Sequence, residues 1–198
     1  MLTQYSIFFI GIFQTSMNTL ILGDSFSADN HGWPSLLGFD VENRSQRGVG
    51  EYKIYKQYKA GDKHDLVIVC HTSPWRIHTP KHPVHMANTK RPNTDFLLAD
   101  IDYHSKENKE MEIVKEYWNN YYDFEYQIDI YKLLVSKLSK IPNSIHLTFH
   151  DVSEKIVPIN MNHVWRQHPG DINHLDKKGN TIVAEEIISL AEKLTNAN

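Results

Sequence analysis

Two short segments carry residue types that together can do chemistry. Near the start stands Gly23-Asp24-Ser25-Phe26-Ser27, and near the end stands Asp171-Ile172-Asn173-His174. A serine hydroxyl is a weak nucleophile until an imidazole takes its proton, and the imidazole needs an acceptor to hold its tautomer. An Asp three residues ahead of a His on one turn can reach Nδ1, leaving Nε2 to face the serine. A plainer reading stands beside this one: Asp24 and Ser25 cap a following helix, and Asp171 and His174 are polar residues at a helix entry. Either segment alone is a weak signal. Their weight comes from occurring together, at opposite ends of the chain and each beside a strand end.

The elements that must position them follow from hydrophobic patterning. Residues 18–23 (NTLILG), 39–43 (FDVEN), 65–71 (DLVIVCH) and 145–149 (IHLTF) read as strands, and 155–159 (KIVPI) as an edge strand that tolerates Pro158. Helical stretches fall between them: a short one at 31–37 limited by Pro34, one at 50–59, and one or two over 106–140. Asp176 is placed to cap a last helix whose buried face holds Val183, Ile187, Leu190, Ala191 and Leu194. This alternation predicts an α/β chain built as a three-layer α/β/α sandwich on a parallel sheet of about five strands. In such sheets the active site lies at the carboxyl ends of the strands, where Ser25 falls. The segment from Thr72 to about Asp102 is too long for a mere connector and is expected to serve the site.

GDSFS and DINH resemble the first and last blocks of the SGNH (GDSL-type) hydrolases. The resemblance covers essentially residues 17–195 in block order, strand–helix pattern and size. It implies the flavodoxin-like version of the sandwich and a serine esterase that needs no cofactor, commonly one removing acetyl groups from carbohydrates. It further implies Ser25 as nucleophile, His174 as general base, Asp171 as its orienting partner and the Ser25 amide as first oxyanion donor. The family's second block ends in a glycine whose amide joins the oxyanion hole. Here NRSQRGVGEY puts Gly50 in that place, with Gly48 as the nearby alternative. A helix N-terminus there offers free N–H groups to developing negative charge.

The third block departs from the family. Gly-x-Asn-Asp is replaced by His71-Thr72-Ser73-Pro74, with Ser73 aligned to the asparagine. Loss of one oxyanion donor typically costs about 3 kcal/mol of transition-state stabilisation. Ser73 or Thr72 is therefore expected to substitute, and with Gly50 and Asp24 they form the expected oxyanion and substrate-binding set. The competing reading is a glycan- or small-ligand-binding module of weak activity on the same fold. A flavodoxin-like cofactor binder is disfavoured, since no Gly-rich phosphate loop follows the first strand.

Other features carry less. His78, His82 and His85 cluster in HTPKHPVH, but two prolines break any helix that would align them and no nearby carboxylate completes a set, so no metal is expected. Trp75, Arg76, His163, Trp165, Arg166 and His168 suggest an aromatic and cationic rim for a sugar or an anionic acyl group, or else ordinary packing. The aromatic run at 117–131 reads as core or a self-association face.

Composition sets the outer limits. The chain has 198 residues, 40% hydrophobic and 23% charged, ample for a globular core. A net charge of −3 gives no reason to expect nucleic acid or an anionic membrane as partner. The expected partner is a small-molecule or carbohydrate ester, and the sequence leaves the oligomeric state open. One cysteine, Cys70, lies in an apolar run and excludes an intramolecular disulfide or a Cys-based metal site, so a reducing, cytoplasmic setting is expected. Residues 5–13 are apolar but too short to span a bilayer, and no Lys or Arg precedes Arg44 as a signal peptide would require. Residues 1–16 are therefore expected to be an extension outside the fold, with an atypical export signal as the competing reading. Residues 17–198 are expected to form a single hydrolase-like domain.

Overall fold

Runs of Leu, Ile and Val form the inner strands of a five-stranded sheet: β1 (Asn18–Gly23), β2 (Asp40–Asn43), β3 (Leu66–His71), β4 (Ser144–Thr148) and β5 (Ile159–Asn160). They belong to a computed structural model that describes residues 17–29, 31–85, 91–171 and 174–196. The expectation for residues 1–16 lies outside the described residues. All pairings are parallel, in the order β2-β1-β3-β4-β5. This is the flavodoxin-like order, with the switch point between β1 and β3.

Alternation along the strands assigns the two faces. Leu20 and Leu22 of β1 and Val67 and Val69 of β3 pack with Ile54 of α1 (Glu51–Gln57) and Leu138 of α4 (Phe124–Leu138). Ile21, Ile68, Cys70, Ile145 and Leu147 point the other way, onto Val183, Ala184, Ile187 and Ala191 of α6 (Lys177–Asn196). Both faces are covered by helices, as continuous apolar strands require. The architecture is the three-layer α/β/α sandwich.

Differences from the sequence reading sit at element ends. The short helix at 31–37 is a single 3-10 turn, Trp33–Leu36, with Pro34 in its first turn. Residues 106–140 make two helices, α3 (Lys109–Tyr121) and α4, and the break falls at Tyr122-Asp123. There the Asp123 side chain caps α4 by accepting from the Tyr126 amide at 3.0 Å. Of the edge strand expected at 155–159 only Ile159 pairs, and β5 is the two residues Ile159–Asn160. Pro158 has no N–H to offer a ladder, and the residues before it curl into a turn in which Ile156 and Val157 both donate to the Ser153 carbonyl. Asp176 caps α6 as expected, its carboxylate accepting from the Gly179 amide at 2.7 Å.

The long segment after β3 has its own small core. Phe96, Ile101 of α2 (Leu98–His104), and Met111 and Trp118 of α3 are buried together. Its outgoing and returning legs join at an antiparallel bridge between Ile77 and Phe96. Beside the bridge, the fully buried Asp95 carboxylate accepts from the Gly50 and Thr79 amides at 2.7 and 2.8 Å and from Lys53 Nζ at 2.8 Å. In the aromatic run only part is core: Tyr131 is buried, whereas Tyr121 and Tyr126 are 75% and 64% exposed. Among the described residues no helix is long and apolar enough to cross a membrane. The short helix α5 (Asn162–Gln167) leads from β5 toward the Asp171 turn.

Candidate active site

The turn after β1 and the turn before α6 meet at one cavity of about 1030 Å³ at the carboxyl end of the sheet. Ser25, Asp171 and His174 all border it. β1 ends because the chain turns sharply: the Ser27 amide donates to the Asp24 carbonyl at 3.2 Å, and the Phe26 amide to Asp24 Oδ1 at 3.0 Å. Ser25 is thereby lifted out of the strand, partly exposed on the cavity.

Phe26 organises the aromatic side of the site. Its ring stacks on Phe149 at 4.6 Å and on His174 at 5.7 Å, and meets His150 and Trp165 edge-on at 5.6 and 5.8 Å. The His174 imidazole is thus held by an apolar neighbour. Burial, aided by the positive charge of Arg47 and Arg91 and opposed by Asp24 and Asp29, lowers its pKa from the usual histidine value. A lowered pKa keeps the ring neutral at physiological pH, the form a general base requires.

The Asp171 and His174 turn closes through the backbone. The His174 amide donates to the Asp171 carbonyl at 3.1 Å, and the Gly170 amide to the His174 carbonyl at 2.6 Å. Their side chains are not hydrogen-bonded to one another, and the Asp171 carboxylate is exposed. Neither is the Ser25 hydroxyl hydrogen-bonded to the imidazole; catalytic contacts are commonly loose before substrate binds. The structure therefore brings the three residues to one cavity without closing them into a hydrogen-bonded row.

The expected oxyanion set needs correction. Gly50 opens α1, but its N–H is held by the buried Asp95 carboxylate at 2.7 Å, and it does not border the cavity. Gly48 does border it, at φ +78°. That left-handed conformation suits glycine, and an added Cβ would lie 2.9 Å from the Thr94 side chain. Its N–H has no partner among the described residues, so the free glycine amide at the cavity is that of Gly48 and not of Gly50.

Ser73 and Thr72 also fail as donors. Ser73 lies off the cavity, its hydroxyl oxygen accepting from the Trp75 amide at 3.3 Å in a local turn. Thr72 is fully buried and donates its hydroxyl proton to Asp24 Oδ2 at 2.7 Å. Asp24 is likewise structural. Its buried carboxylate also faces His150 Nε2 at 3.6 Å, too long for a good hydrogen bond but close enough for charge attraction. Burial alone would raise its pKa; His150, Arg76 and the Thr72 hydroxyl outweigh burial and lower it, so it remains an anion. No residue of the third block borders the cavity; Arg76, two residues beyond it, does, fixed by bonds from Nε to Thr72 Oγ1 at 3.3 Å and from Nη1 to the Gly48 carbonyl at 3.2 Å.

Of the expected rim, Arg76 and Trp165 reach the cavity. Trp75 turns to Phe124 instead, at 5.6 Å, and His168 to Asp176, at 3.7 Å. The three histidines of the 78–85 stretch diverge. His78 contacts Asp95 at 3.3 Å, while His82 and His85 pack on each other at 4.5 Å. Desolvation lowers the pKa of His82 to about 4. Among the described residues no group of three or more ligating side chains is placed to hold a metal ion.

One further residue borders the cavity without any motif to announce it. His150 lies two residues beyond β4, and its place just past a strand end is the signal that marks it. Asp95 lies off the cavity, and its hold on the Gly50 N–H is legible only once the fold brings the two together.

A second polar system lies under the same strands. His71 Nδ1 is 2.7 Å from Glu51 Oε1, His71 Nε2 is 2.9 Å from His146 Nδ1, and His146 Nε2 is 2.9 Å from Ser144 Oγ. Ser144 donates to the Ile141 carbonyl at 2.7 Å, so its oxygen must accept from His146 Nε2–H. That fixes the His146 tautomer and requires His71 Nε2 to carry a proton. Burial, with His71 alongside, lowers the His146 pKa to about 3, so the ring is neutral.

The chain matches no family model, no curated protein and no solved structure.

Proposed function

We propose that the protein is a serine hydrolase of the SGNH type acting on carboxylic esters. The observation that carries this reading is the convergence of Ser25 and a neutral, half-buried His174 on one open cavity at the carboxyl edge of the sheet. Ser25 Oγ attacks the ester carbonyl as His174 takes its proton. The carbonyl π electrons move to oxygen, and the amides of Ser25 and Gly48 and the Arg76 guanidinium receive the developing charge. Collapse breaks the acyl–oxygen bond, and the imidazolium returns the proton to the leaving alcohol. Water, deprotonated by the same imidazole, then releases the acid and restores the serine. Asp171 steadies the imidazolium from the adjoining turn. No step calls for a metal or organic cofactor.

Acetylated carbohydrates are the substrate class that the family resemblance suggests, and Trp165 with the polar cavity wall suits a sugar ring. A second reading, a ligand-binding module of low activity, is favoured by the unaligned Asp171 side chain and by Thr72, whose hydroxyl is taken up by Asp24.

The test is hydrolysis of 4-nitrophenyl acetate and an acetylated sugar by the wild type and Ser25→Ala. Serine-dependent turnover, with kcat/KM lower by at least about 10³ in the variant, supports the esterase. Turnover that survives the substitution excludes this mechanism. Absence of turnover together with absence of labelling of Ser25 by a serine-directed phosphonate favours the binding module.

A further inference from the structure

Three arginines border the Ser25 cavity, and they are not equivalent. Arg76 is tied to Thr72 and to the Gly48 carbonyl. Arg47 and Arg91 are partly buried, and among the described residues neither guanidinium has a hydrogen bond or ion-pair partner. Both lie near enough to His174 to act on its charge. The aspartates that border the same cavity make no ion pair with them. Asp29 accepts from the His31 amide and Asp176 from the Gly179 amide, and none approaches within ion-pair distance of either guanidinium.

A guanidinium held partly out of water is a fork of donors seeking a planar anion. The segments that carry the two are neighbours: Asn93 Nδ2 donates to Gln46 Oε1 at 2.9 Å, and Thr94, whose hydroxyl donates to the Arg91 carbonyl at 3.1 Å, lies against Gly48. We propose that Arg47 and Arg91 clamp a carboxylate carried by the substrate, so that the ester hydrolysed at Ser25 is an anionic one. The proposal rests on the reading of Ser25 and His174 as the reacting centre. A monoanion fits better than a phosphate dianion because the cavity also carries Asp24, Asp29, Asp100, Asp171 and Asp176, which would repel a second negative charge. Anchored on the Gly48 side of the cavity, the carboxylate holds the ester against Ser25 through a part of the substrate that does not react.

The carboxylate can belong to the acyl group or to the alcohol, and two substrate pairs separate these cases. Mono-4-nitrophenyl succinate is compared with 4-nitrophenyl butyrate, and an O-acetylated glucuronic acid with the matching O-acetylated glucose. The expected result is a kcat/KM preference of about tenfold or more for the anionic member of one pair, the pair identifying which half carries the charge. In the Arg47→Gln/Arg91→Gln protein that ratio falls to within twofold. A preference below fivefold in both pairs, or one that survives the double substitution, overturns the clamp. Circular dichroism verifies folding, and the Arg47→Lys/Arg91→Lys protein serves if the double glutamine variant does not fold; it keeps the charge, loses the fork and retains less than half of the preference.

Should no ester be turned over, the esterase reading fails while the clamp remains testable. Monomethyl succinate, glucuronate and glucose are then titrated into Ser25→Ala and followed at the His174 ring proton by NMR. Saturable shifts with a carboxylate but not with glucose, weakened about tenfold or more in the double variant, support the clamp. Absence of a saturable response to either carboxylate overturns it.

Discussion

The protein holds two sets of serine, histidine and carboxylate, and they differ in an instructive way. Around the cavity, Ser25, His174 and Asp171 share a surface but no side-chain hydrogen bonds. Beneath the sheet, Glu51, His71, His146 and Ser144 form an unbroken row with contacts between 2.7 and 2.9 Å. By distance alone the second set looks more like a catalytic relay. Its chemistry argues otherwise. Ser144 opens β4 at the amino edge of the sheet, and its proton is held by the Ile141 carbonyl. Glu51, His71 and His146 are all buried. A relay whose hydrogen-bonding capacity is fully occupied can hold a structure together but has nothing left with which to meet a substrate. The cavity set keeps its capacity open, at the edge where ligands enter.

The sharpest way to break this comparison is to exchange the roles of the serines. Ser144→Ala is expected to change ester hydrolysis by less than about threefold, against the loss of at least about 10³ predicted for Ser25→Ala. Steady-state assays of both variants decide it, and a large loss in Ser144→Ala would make the buried row part of the reaction. Stability should show the reverse order. Glu51→Ala leaves the buried His71 Nδ1 without its partner and the Thr72 amide without its Glu51 Oε2 contact, so unfolding in urea is expected at a cost of about 3 kcal/mol. Ser25→Ala should stay within about 0.5 kcal/mol of wild type.

Acid sharpens the contrast further. With its folded pKa held near 3 and an unfolded value near 6.5, His146 binds a proton more readily when the chain is unfolded. Its contribution is complete above about pH 6.5 and is lost as pH falls toward 3, at up to about 1.4 kcal/mol per pH unit. His82, held near 4, adds to the same slope. Urea midpoints between pH 7 and 4 are expected to fall in this direction, and less steeply in His146→Asn. The smallest effects separate the neighbours Thr72 and Ser73. Thr72→Val removes a donor from buried Asp24 and should destabilise by about 1–2 kcal/mol, while Ser73→Ala should lie within about 0.5 kcal/mol and alter hydrolysis less than about threefold. A larger effect of Ser73→Ala on rate would restore it as a donor to the reaction.

Much of the fold is legible in the sequence because parallel buried strands announce themselves. NTLILG and LVIVC are apolar on both faces, and they become β1 and most of β3. What misleads is the end of an element, where one backbone N–H decides the outcome. Pro158 shortens β5, and Asp123 sets where the α3–α4 break falls. At the site, Ser25 and His174 are readable as motifs because two turns deliver them to one cavity, although only Ser25 stands beside a strand end and His174 lies between α5 and α6. Gly50 and Ser73 are not readable in the same way. Whether an amide or hydroxyl is available depends on a partner far along the chain, and nothing near Gly50 reveals that Asp95 will take its N–H. The same holds for Glu51, a first-turn acid in the sequence that the fold sets against a histidine at the end of β3.

Asp95 has one more consequence. A single buried carboxylate receives the start of α1, the departing leg of the long segment through Thr79, and Lys53, while its own backbone sits beside the bridge on the returning leg. The excursion is therefore riveted at its base and behaves as a buttress for the sheet's carboxyl edge. Swinging its base over the site would tear several bonds from a charge with no water to replace them. A ligand arriving at Ser25 thus meets a wall that is already standing, and discrimination falls to the shape and charge of that wall.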